Sequence, residues 1–107
     1  MNLHINFHQI DPTDAIKKVV ERKSNKLEKF FHNAIDTEWF LEAKKDGHHA
    51  RAVLSSQGYH INADATTEDL YKAIDDVIHK METQIKKQKA KVKVHPNNKP
   101  EYFGEFL

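Results

Sequence analysis

The 107 residues contain no cysteine, which excludes disulfides, iron–sulfur ligation and thiol chemistry and suits a reducing cytosol. Only three glycines occur, and none sits in a phosphate-cradling loop. No stretch approaches the roughly 18 consecutive apolar residues of a membrane span. The N-terminus, MNLHINFHQI, has no basic segment leading into an apolar one, so no export signal is expected. Internal repeats and interdomain linkers are also missing. A soluble, cytoplasmic protein without a membrane partner is the expectation.

Overall charge is equally uninformative: the formal net value is +1, with 17 basic and 16 acidic residues. Distribution is not. Lys17, Lys18, Arg22, Lys23, Lys26 and Lys29 cluster in one segment, and Lys80, Lys86, Lys87, Lys89, Lys91 and Lys93 in another, twelve of the 17 basic residues in all. Hydrophobic content of 38% with clear periodicity argues for a folded core, and the length suits one domain.

Leu3, Ile5 and Phe7 alternate with His4, Asn6 and His8, the pattern of a strand over residues 2–9 with one buried face. Asp11-Pro12 reads as an N-cap followed by proline at the first helical position. Ile16, Val19, Val20, Leu27, Phe30 and Phe31 supply the apolar stripe of a helix to about His32, with Asn33 as its stop. Three more strands follow: 36–45 around Trp39, Leu41 and Ala43, then 49–55, then Tyr59, Ile61, Ala63 and Ala65 in alternation. Lys45-Asp46-Gly47 and Gln57-Gly58 supply the turns between them. Thr66 with Asp69 resembles a capping box for a helix over 67–94. Its stripe is Leu70, Ile74, Val77, Ile78, Met81 and Ile85. The predicted fold is α+β, β-α-β-β-β-α: a four-stranded sheet with two helices packed on one face.

Past Ile85 the stripe nearly stops while the lysines continue. The rest of the helix would reach about 13 Å beyond its last strong core contact. Cations near a helix C-terminus complement its dipole, for about 0.3–1 kcal/mol each. That benefit fades beyond the last turn, so five lysines in eight residues need another reason, and a polyanion supplies one. At 100° per residue, Lys80, Lys87 and Lys91 line one flank of the stripe, and Lys86, Lys89 and Lys93 the other. Arg22, Lys26 and Lys29 form a row on the first helix, whereas Lys23 lies in the apolar stripe and must extend along its own stem to reach water.

Other chemistry is poorly supported. The eight histidines lack a compact ligand spacing, so no metal site is expected, and no other cofactor is implied. Asp75-Asp76 and Glu68-Asp69 point to different faces and suit solvated caps. No nucleophile–base pair is evident, so neither an enzyme nor a small-molecule substrate is indicated. Residues 95–107, from the helix-breaking HPNNKP to the acidic-aromatic EYFGEFL, read as a flexible tail separate from a 1–94 domain.

Lys26-Leu27-Glu28-Lys29, Asp69-Leu70-Tyr71-Lys72-Ala73-Ile74-Asp75 and Lys80-Met81-Glu82-x-Gln84-Ile85 carry a resemblance over about residues 1–94. The chain resembles the ribosome hibernation promoting factors and the related ribosome-associated inhibitors, in a short form. The resemblance implies binding to the small ribosomal subunit and its rRNA near the decoding centre. There the protein would block messenger and transfer RNA and silence translation in stress or stationary phase. It places rRNA contacts on Lys23, Lys26, Lys29, Lys80, Lys87 and Lys91. Arg22, Lys86 and Lys89 join them from the basic rows. Thr83 departs from the arginine of many relatives, and Tyr59 from a frequent glycine. Two alternatives stay open: a general double-stranded RNA-binding module, and a protein-interaction module using Tyr102, Phe103 and Phe106. Homodimerisation and the effect on ribosome dimers are open as well.

Overall fold

The structure, a computed structural model, describes residues 1–32, 34–56 and 58–94, with side chains as far as Lys89. Element order is β1 (Asn2–His8), α1 (Asp14–Asn25), a 3₁₀ helix (Lys26–Phe30), β2 (Asp36–Lys44), β3 (Gly47–Ser56), β4 (Tyr59–Thr67) and α2 (Leu70–Val94). The expected α+β order is present. Asn33, Gln57 and the predicted tail 95–107 lie outside the described residues.

One mixed sheet runs β1-β2-β3-β4. β2, β3 and β4 form the antiparallel meander, while β1 pairs parallel to β2 with Ile5 opposite Trp39. A parallel pair cannot be joined by a tight turn, and α1 supplies the crossover. The alternation seen in sequence sets the faces. Trp39, Leu41, Ala50, Ala52, Leu54, Ile61 and Ala63 are buried on the helix side. Glu38, Phe40, Arg51, His60 and Asn62 point the other way and are exposed. Ile16, Val20 and Leu27 from the first helical segment meet Ile74, Val77, Met81 and Ile85 from α2 over that buried face.

Trp39 joins the layers. It is fully buried, and its indole N–H donates to Ser24 Oγ of α1 at 2.9 Å, satisfying two polar groups that water cannot reach.

Helix and strand ends depart from the sequence reading. Gln9 adopts a left-handed φ of 58°, which stops β1 at His8. The N-cap of α1 is Thr13, not Asp11: its Oγ1 accepts from Ile16 N–H at 3.2 Å, and Pro12 precedes the cap. Asp14 then places a carboxylate in the first turn, where the dipole favours it. The regular helix ends at Asn25 and tightens into the 3₁₀ segment, which turns Leu27 into the core. Asp69, not Thr66, caps α2, accepting from Tyr71 N–H at 3.0 Å.

Gly47 follows the β2–β3 turn with φ +142°, and an added Cβ would lie 2.6 Å from the Thr67 carbonyl oxygen. Gly58 has φ +83° with open space around it. Gly58→Ala should therefore cost about 1–2 kcal/mol, the backbone strain alone. Gly47→Ala should cost more, since a backbone atom must also move. Urea midpoints of the two variants measure the difference.

Candidate nucleic-acid interface

The two flanks of α2 read from its periodicity have different neighbours. One flank faces the free edge of β4. Lys80 Nζ donates to the Asp64 carbonyl at 2.7 Å, and Gln84 Nε2 to the Asn62 carbonyl at 2.8 Å. Two edge carbonyls two residues apart are thereby occupied by side chains one helical turn apart. Lys87 continues this flank by spacing and is exposed. Thr83 directs its hydroxyl back onto the His79 carbonyl at 3.0 Å, so this side chain turns to its own helix.

The other flank faces α1 and the 3₁₀ segment. Lys23 reaches the Asp75 carboxylate as an ion pair, with 21% of its side chain accessible. It therefore reaches across to α2 and pins the two helices together. The Lys23 hydrogen bond, outweighing partial burial, holds the Asp75 carboxyl below the usual aspartate range, with smaller help from the charges of Lys23, His79 and Lys26. Further along, Lys89 Nζ lies 4.9 Å from the Phe31 ring centre and 5.8 Å from that of Tyr59. Lys86, one turn earlier, is exposed, and so are Arg22, Lys26 and Lys29. Lys29 Nζ sits 5.2 Å over the Phe30 ring. The side chain of Lys91, with that of Lys93, lies outside the described residues.

Of the lysines singled out from sequence, Lys26, Lys29, Lys86 and Lys87 thus stand exposed at the helix layer, with Arg22 beside them. Lys23, Lys80 and Lys89 are each engaged by a partner within the fold, Lys80 while exposed, and Lys29 lies over its neighbour Phe30. Asp75, Gln84, Phe31 and Tyr59, which hold or flank these cations, were noted in sequence for other reasons, and nothing in their own segments gives this pairing. Only the relative placement of distant elements reveals them.

The histidines disperse. His49 bonds Asp64 at 3.1 Å, His8 lies 3.7 Å from Glu42, and His60 pairs with Ser55 at 3.3 Å. The His49 hydrogen bond is the chief influence holding the Asp64 carboxyl low, with Lys80 and Arg51 adding to it against partial burial. Among the described residues, no three His, Asp or Glu side chains come together as a metal site. Nor is any described helix long and apolar enough to cross a membrane.

The Asp75–Lys23 pair gives a pH prediction. Asp75 has its pKa depressed in the folded state, so its contribution is present above the unfolded value near 3.9 and is lost as pH falls through the lower folded value. Nearly half of the Asp75 side chain is open to water, which limits the pair to at most about 1 kcal/mol. Asp75→Asn should lose that amount at pH 7, with the difference from the parent protein shrinking below about pH 4. Thermal melts at the two pH values test it.

A scan against protein-family models matches residues 3–93 to the family described as Sigma 54 modulation protein / S30EA ribosomal protein. The chain belongs to this family. The ribosome hibernation promoting factor of Salmonella typhimurium is 35% identical over 95 residues, covering 89% of this family member and all of the relative. The factor of the same name from Klebsiella oxytoca is 37% identical over an equal span. A longer relative, the ribosome hibernation promotion factor of Bacillus subtilis, is 32% identical over 108 residues, an alignment that covers 95% of this chain and 57% of that relative. The Thermus thermophilus Protein Y N-terminal domain superposes with a TM-score of 0.78 at 26% identity, over 82% of this family member and 99% of that chain. A ribosomal subunit interface protein from Coxiella burnetii gives 0.67 at 28%, over 81% and 98%.

Proposed function

We propose that this protein is a cytoplasmic ribosome hibernation factor, with residues 1–94 as its ribosome-binding unit. In this reading it occupies the small subunit near the decoding centre, excludes messenger and transfer RNA, and silences translation in stress or stationary phase. It acts by occupancy and catalyses nothing. The observation that carries the reading is the family match across 3–93, the same residues that place Arg22, Lys26, Lys29, Lys86 and Lys87 exposed on the helix layer. These side chains meet rRNA phosphates and release counterions, which positions the protein without reading sequence. Lys91 extends the row by its helical spacing. Lys23, Lys80 and Lys89 contribute once their intramolecular partners yield.

Co-sedimentation with vacant ribosomes and with separated subunits is the test, with a plain RNA duplex of matched length as the comparison. Saturable binding to the small subunit, well above binding to the duplex, is the expected result. Equal affinity for both would replace this reading with that of a general double-stranded RNA-binding module. Absence of small-subunit binding at low salt would overturn it.

A further inference from the structure

Where the 3₁₀ segment, the start of β4 and the C-terminal part of α2 converge, aromatic rings and cations interleave. Phe31 and Tyr59 meet edge to face, their centres 5.7 Å apart and their planes at 67°. Lys89 seats its ammonium in the angle between them. Phe31 is buried at 8% accessibility and forms the floor, whereas Tyr59 is half-buried at the margin of the core. The neighbouring Phe30 is also half-buried, beneath Lys29.

A phosphate-binding surface needs cations but has no use for rings. A core needs rings but has no use for an ammonium in their angle. Both together suit a splayed-out nucleotide, whose base stacks on an aromatic face while nearby lysines take its phosphates. The edge-to-face pair fixes the plane of Tyr59 beforehand, and a two-torsion side chain loses little freedom on stacking.

We propose that Tyr59, backed by Phe31 and flanked by Lys89, with the exposed Lys86 one helical turn away, is a stacking site for an unpaired RNA base. The site deepens the proposed function, because it adds contact with an extruded or single-stranded nucleotide to backbone neutralisation. It does not depend on the ribosome being the source of that nucleotide.

The test compares a fluorescently labelled single-stranded adenine hexaribonucleotide with an abasic ribose-phosphate hexamer of the same charge, by anisotropy at fixed low salt. Stacking contributes a factor of about five or more for even one base. The protein should prefer the adenine strand by at least that factor. Tyr59→Phe should keep the preference and Tyr59→Leu abolish it, with both variants checked for a native circular dichroism spectrum. Equal affinity of the unaltered protein for the two strands would overturn the proposal. So would a Leu variant that retains the preference, since a merely structural Tyr59 would shift the melting temperature and leave base discrimination alone. A small-subunit arm separates the two readings. Loss of base preference with small-subunit binding intact removes only the stacking site. Base preference without small-subunit binding removes the ribosome reading and leaves the stacking site standing.

Discussion

Small-subunit affinity is expected to fall on the order of a hundredfold when Lys26 and Lys87 are both replaced by glutamate. Each reversal removes an attraction of about 1 kcal/mol at contact distance in water and adds a comparable repulsion, before salt screening reduces both. The two residues lie on different helices, both exposed, and neither side chain makes a described hydrogen bond or ion pair, although the Lys26 charge gives Asp75 minor support. Salt dependence supplies a second signature. With about six phosphate contacts, the unaltered protein should lose roughly a thousandfold in affinity between 50 and 200 mM salt, and the logarithmic slope should drop by about two units in the double variant. Sedimentation at four salt concentrations reads affinity and slope together. An unchanged slope would place the RNA contacts elsewhere. Lys89→Met should have a smaller effect, since that ammonium is already held over two rings.

Trp39→Ala is expected to produce the largest loss of stability, about 3–5 kcal/mol. A domain of this size has about 5–15 kcal/mol in total, so the variant should lie near the edge of folding at 37 °C. Two losses combine: a large, fully buried side chain disappears from between α1 and the sheet, and Ser24 loses the indole that reached it. Ser24→Ala isolates the second. It leaves the indole N–H buried without its partner, for about 1–3 kcal/mol. Urea unfolding of both single variants and the double measures the coupling. If Ser24→Ala has no effect, the Trp39 contribution is packing alone.

Those consequences follow from elements that were unequally legible in the sequence. Strand faces could be read because burial alternates along most of β2 and β4: Trp39, Leu41, Ile61 and Ala63 all point where the two-residue period puts them. The apolar stripe of α2 was equally plain, since six residues repeat it from Leu70 to Ile85. Element ends were harder. Asp11-Pro12 and Thr66 both carry a capping signature, yet Thr13 and Asp69 make the bonds, because competing caps two or three residues apart are separated by chain direction rather than by composition. The 3₁₀ tightening at Lys26 had no local marker either.

The candidate interface divides in the same way. The exposed lysines were visible as a charge pattern. Lys23 looked like a cation forced to find its way to water, because nothing in residues 17–29 says that Asp75 waits across the helix pair. Lys89 looked like one more member of a row, because the rings beneath it come from residues 31 and 59. Periodicity describes one element at a time, and these partners belong to pairs of elements.

Lys80 holds a position with two claims on it. While its ammonium guards the Asp64 carbonyl, and Gln84 guards that of Asn62, the outer strand of the sheet offers no clean row of acceptors to a neighbouring chain. Under the proposed function, a phosphate that recruits Lys80 would uncover one of those acceptors. The β4 edge of the free protein is thus blunted against pairing with a second copy, and under the proposed function it would give up part of that protection only where a bound surface stands in the way. In that reading, solubility and recognition would share one side chain and take turns.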